Sequence, residues 1–150
     1  MEVKVLYDKV KVIEQMLDEY KLNEIDIANI ELEIEELKEI SLSVASNFEQ
    51  KTSKTNRIQR TVEDDYINRE EKIKNLIFIR NKLERNNKKI ENALKGLKER
   101  KKNIIELKYM EYRGKSWGFI AKKADLSEAW ARKLKDQAIK EMAAIIFRHS

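Results

Sequence analysis

From Val62 to Leu97, the residues Val62, Tyr66, Arg69, Ile73, Leu76, Arg80, Leu83, Asn87, Ile90, Leu94 and Leu97 follow one another at alternating steps of four and three. An α-helix gathers such positions onto one stripe, whereas a strand, with its period of two, scatters them over both faces. The stripe lasts about five heptads, long enough for coiled-coil-like packing. It predicts one unbroken helix over 62–97. The rest of the chain agrees: there is no proline, and the only glycines are Gly96, Gly114 and Gly118. Those two residue types end helices and build turns, so their scarcity predicts an all-α protein.

Shorter stripes precede the long one. Leu6, Val10, Ile13, Leu17 and Tyr20 mark a helix over 3–22, and Ile27, Ile30, Ile34, Leu37, Ser41, Val44 and Phe48 mark another over 24–48. Asn23 reads as the break between them and as an N-cap, which makes the pair an antiparallel hairpin. Residues 49–60 lose the periodicity and read as a linker. Thr61 reads as the cap of the long helix, with Glu63, Asp64 and Asp65 placed where the helix dipole favours negative charge. The stripe of the long helix has two alternative partners. It either packs on residues 3–48 of its own chain or pairs with a second copy in a homodimer whose seam is Leu76, Leu83, Asn87, Ile90 and Leu94. In the second case Asn87 occupies a core position that fixes register.

Charge divides the chain. Residues 1–50 hold 5 Lys/Arg against 13 Asp/Glu, residues 51–97 hold 13 against 7, and residues 98–150 hold 14 against 7. Positive charge collected in the last two thirds suits a polyanionic partner. There is no cysteine, and the single histidine is His149, so no metal site and no cofactor are expected. No phosphate-cradling glycine loop, nucleophile elbow or histidine pair is present, which argues against an enzyme. No apolar run approaches the roughly 20 residues of a membrane span. The expectation is a soluble, cytoplasmic protein with no membrane partner.

Residues 103–147 have a different rhythm. Gly114 suits the left-handed C-cap of a first helix. Ser116 can cap a second short helix, Asp125 tolerates the positive φ of a tight turn, and Ser127 can cap a third helix. Two helices joined by a tight turn, the second of them basic, form a helix-turn-helix. The chain therefore divides into 1–97, a helical hairpin with the long heptad helix, and 98–150, a helix-turn-helix domain. Leu107, Trp117, Ile120, Leu126, Leu134, Ala138 and Met142 are the expected core of the latter.

The segments Ile104-Ile105-Glu106-Leu107-Lys108-Tyr109, Ser116-Trp117, Ile120-Ala121, Leu126-Ser127-Glu128, Arg132-Lys133 and Ala138-Ile139 resemble region four of bacterial sigma factors. Over about residues 50–147 the chain is also similar to small phage and prophage transcriptional regulators that end in a sigma-region-four-like domain. That similarity rests on Thr55-Asn56-Arg57-Ile58, Val62-Glu63, Arg69-Glu70-Glu71-Lys72-Ile73 and Ile90-Glu91-Asn92-Ala93-Leu94. Gly118 and Phe119 depart from it, standing where the family carries two polar residues, and Asp125 stands where it most often has glycine. The resemblance implies a DNA-binding transcription regulator in the bacterial host cell, nucleoid-associated, with double-stranded DNA as partner and RNA polymerase as a candidate second contact. A DNA-packaging recognition subunit of small-terminase type is the alternative.

Within the third helix, Glu128, Ala129, Trp130, Arg132 and Lys133 are the candidates for base contacts. Arginine or lysine can donate to guanine, glutamate can accept from cytosine, and alanine can touch a thymine methyl. Trp130 has two open roles, in the core or against the sugar–phosphate edge. Lys115, Ser116, Lys122, Lys123, Ser127 and Lys135 are the candidates for phosphate contacts, which position a protein without reading sequence.

Overall fold

The computed structural model describes residues 2–50 and 56–150, and the side chains of 4–46 and 61–150. The fold is all-α, with long N-terminal helices and no strand among the described residues. Helix α1 spans Glu2–Gln50, α2 Asn56–Lys95, α3 Glu99–Ile105, α4 Trp117–Lys123 and α5 Glu128–Ile146; a π-helical turn, Glu106–Glu111, continues α3. No described helix is long and apolar enough to cross a membrane.

Two sequence expectations are corrected here. Asn23 does not separate two helices but lies buried in the middle of α1. No glycine or proline interrupts that stretch, and the amide side chain finds a tertiary partner instead of capping a backbone. Thr61 does not start the long helix: α2 already begins at Asn56, so part of the expected linker is helical, and residues 51–55 lie outside the described residues. The expected end near Gly96 holds. Gly96 N–H bonds Ala93 O at 3.0 Å and Leu97 N–H bonds Leu94 O at 3.1 Å, a tight turn before α3.

The chain forms two compact units, which cut across the sequence division at residue 97. One comprises 1–24 with 85–150, the other 25–84. In the first, the initial turns of α1 and the last turns of α2 run antiparallel. Their core is Ile13, Leu17 and Tyr20 with Ile90, Ala93, Leu94 and Leu97, closed by Ile105 of α3 and by Ala138, Ile139, Met142 and Ala143 of α5. Each large aliphatic side chain buried there contributes roughly 1.5–3 kcal/mol. Asn87, Ile90 and Leu94 are thus consumed inside one chain, and for them the intramolecular alternative holds. A second cluster joins Ile104, Leu107, Ile120, Ala121, Ala131 and Leu134. The adjacent Ile104 and Ile105 serve different clusters, and α5 threads both: Ala131 and Leu134 belong to one, Ala138 to Ala143 to the other. The expected terminal core is therefore present but divided, with Trp117 and Leu126 packed against its edge.

In the second unit, α1 and α2 again run antiparallel. Lys72 Nζ meets Glu33 Oε1 at 3.2 Å and Arg69 Nε donates to Ser41 Oγ at 3.1 Å. Among its described residues, Ile34 and Ile73 are the buried apolar ones. Leu76 and Leu83 are only half-buried.

Candidate nucleic-acid interface

A π turn and four residues beyond it fix the path from α3 to α5. The π turn ends where Tyr112 N–H bonds Leu107 O at 2.9 Å. This wide turn carries Tyr112 onto the face of Leu107, five residues earlier, and both join the second cluster. Gly114 then turns the chain at φ 86°, a conformation glycine adopts without steric cost. Ser116 caps α4, its Oγ accepting from Phe119 N–H at 3.2 Å, and Ser127 caps α5 by accepting from Trp130 N–H at 3.2 Å. Between them Asp125 takes φ 57°, and Leu126 N–H returns to Ala121 O at 2.9 Å. The two caps and the left-handed turn hold α4 and α5 as a helix-turn-helix, with a recess at the joint lined by Gly118, Lys122, Asp125 and Ser127.

Ala131 and Leu134 anchor α5 to the second cluster. The positions around Ala131 in the first turns of α5 therefore face solvent: Glu128, Ala129, Trp130, Arg132 and Lys133 are all exposed. Trp130, at 39% exposure, lies outside the core, which removes the core role from the two left open by its sequence position. Arg132 Nη2 donates to Glu128 Oε1 at 2.9 Å, and the guanidinium lies 5.9 Å from the Trp117 ring centroid. Lys133 Nζ lies 5.3 Å from the Trp130 ring centroid.

The phosphate-contact candidates divide. Lys115, Lys122 and Lys123 are exposed. Ser116 and Ser127 commit their hydroxyls to the caps but remain at the exposed helix starts. Lys135 differs from the rest. Its ammonium sits 2.8 Å from Asp136 Oδ1 and 3.9 Å from Glu14 Oε1, and its side chain is largely covered. With its charge balanced by carboxylates, it belongs to the packing between α1 and α5 rather than to the exposed cationic set.

Sequence reading missed the aromatic half of this surface. Tyr112 and Phe119 meet edge to face, with centroids 5.2 Å apart. Lys123 stands over both rings, at 5.3 and 5.6 Å, and Lys115 stands 5.5 Å from Phe119. Lys108, which spacing did not single out, lies 5.0 Å from Trp117 and donates to Lys115 O at 2.7 Å. Cations held over ring faces keep their charge outward while their stems lie on apolar surface. The residue types were visible in the sequence, but which cation covers which ring depends on the turn after the π segment.

Behind the same segment Tyr109 is half-buried. Burial raises its phenol well above the ordinary range, and the carboxylates of Asp18, Glu14 and Asp136 add to the shift. Comparison with protein-family models, curated proteins and solved structures finds no match.

Proposed function

We propose that this chain is a DNA-binding transcription regulator of phage type that reads duplex DNA through α5. One observation carries the reading. The first turns of α5 present Glu128, Trp130, Arg132 and Lys133 to solvent, while Ser127 and the Asp125 turn fix the start of that helix. A recognition helix reads base edges through its N-terminal residues, and Arg132 and Lys133 are of the kind that pairs with guanine edges, Glu128 of the kind that pairs with cytosine. Lys115, Lys122 and Lys123 flank them as exposed cations suited to phosphate. The resemblance to sigma region four supports the same reading, with action at a promoter or beside the polymerase.

Selection of bound duplexes from a random pool, followed by titrations at several salt concentrations, tests it. Arg132→Ala is expected to cost roughly 1–3 kcal/mol on the selected site and far less on scrambled DNA. Lys122→Ala is expected to weaken both about equally and to reduce the salt slope by about one unit. No enrichment from the pool, or an Arg132→Ala variant with an unchanged ratio of specific to scrambled binding, rejects α5 as the reader.

A further inference from the structure

The described residues of the unit formed by 25–84 belong to two helices and build little core. Ile34 and Ile73 are buried there, while Ile25, Leu32, Ile40, Ile67, Phe78 and Ile79 are exposed. Two side-by-side helices can cover only a narrow strip of each other, and a broader apolar stripe indicates further packing.

One exposed residue on each helix, Ile40 and Ile79, continues a half-buried apolar face. On α1, Leu37, Ile40 and Val44 recur at steps of three and four; on α2, Leu76, Ile79 and Leu83 do the same. Each triplet therefore shares one helix face. The outer two of each triplet are half-buried and the middle ones, Ile40 and Ile79, are 47% and 46% exposed. Glu33 lies seven residues before Ile40, and Lys72 seven before Ile79, so each charged residue shares the face of its isoleucine. Glu33 and Lys72 touch, at 3.2 Å. The two apolar faces thus open on the same side of the hairpin.

Charge indicates what covers that side. Glu33 and Glu36 of α1 share the face of Ile40 at spacings of seven and four, and Lys72 and Lys82 of α2 share the face of Ile79 at spacings of seven and three. A two-fold contact presents a face to itself. It can lay the acidic helix of one hairpin on the basic helix of the other, twice.

We infer that a second copy of this chain docks on the Ile40–Ile79 side of the hairpin, forming an antiparallel four-helix bundle with α1 of each copy against α2 of the other. The contact differs from a seam along the stripe of α2, part of which is consumed within the chain.

Sedimentation velocity and light scattering on the full chain test this. The wild type is expected to be a closed dimer. Ile40→Lys and Ile79→Glu are each expected to weaken it about tenfold or more, since each sets a charge at the centre of the interface against like charge of the other copy. Phe78→Lys, on a residue 66% exposed and one position before Ile79 on α2, is expected to leave it intact. Circular dichroism checks that each variant keeps its helicity; should a charged variant unfold, Ile40→Ala with Ile79→Ala replaces it, with weakened pairing expected. A wild type that stays monomeric up to about 100 µM, a larger ring, or a dimer lost with Phe78→Lys and kept with Ile40→Lys overturns the inference.

Discussion

Asn23 of α1 and Asn87 of α2 face each other in the buried contact between the two helices, Asn23 Nδ2 donating to Asn87 Oδ1 at 3.0 Å. Asn87 Nδ2 in turn donates to Tyr20 O at 3.0 Å, and the Tyr20 hydroxyl donates to Glu91 Oε1 at 2.8 Å. The paired amides satisfy one another where water does not reach, and they pin the register of two long helices whose apolar stripes alone would tolerate a slip of one heptad.

Replacing Asn87 with Leu is expected to destabilise the chain by about 1–3 kcal/mol, because it strands a buried amide on Asn23. The double variant Asn23→Leu with Asn87→Leu is expected to recover much of that loss, since two apolar partners leave nothing unpaired. Urea denaturation of the two single variants and the double variant forms the test. Equal loss in the single and double variants would show that the pair does not act as a unit.

Ile139 is fully buried against α1, α2 and α3. Ile139→Ala is expected to cost about 2–5 kcal/mol, the usual range for such a cavity. Ile145→Ala, on a residue 40% exposed at the end of α5, is expected to cost much less. Thermal melts of the two proteins distinguish them.

Ser127 supplies the cap of α5. Ser127→Ala is expected to lower stability by about 1 kcal/mol and Ser127→Asp to retain most of the cap. In binding titrations Ser127→Asp is expected to weaken duplex binding despite its stability, since it adds negative charge at the start of the proposed reading helix. Duplex affinity that follows stability alone across the two variants would remove any role for that position in binding.

Tyr20 and Tyr109 both have phenols raised above their ordinary range, in each case mainly by burial, with nearby carboxylates adding. Both groups prefer to stay neutral in the folded state, so their contribution is fully present below the unfolded tyrosine value of about 10. It is lost as pH rises above that value, because only the unfolded chain ionises readily there. Stability is therefore expected to fall above about pH 10, and Tyr20→Phe with Tyr109→Phe is expected to flatten that fall. Denaturation midpoints measured across the alkaline range decide it. An equally steep fall in the double variant would place its cause elsewhere.

The sequence alone determined the elements of the terminal helix-turn-helix. Gly114, Ser116, Asp125 and Ser127 are local devices whose roles follow from the backbone of their own few residues, and each takes the expected conformation or bond. The all-α class was equally legible, because periodicity and the lack of proline act within one helix. Asn23 was not legible: an asparagine that caps a helix and one that pairs across two helices look alike until the partner 64 residues away is in place. The stripe of α2 carried the same ambiguity, since an apolar face records that it must be covered and not by what. Tertiary structure decided that Asn87, Ile90 and Leu94 are covered by their own chain, and it divided the expected terminal core between two clusters. It also drew Lys135 out of the cationic set by setting Glu14 beside it. In each case the deciding contact joins residues far apart in the chain, and no local pattern encodes the geometry that brings them together.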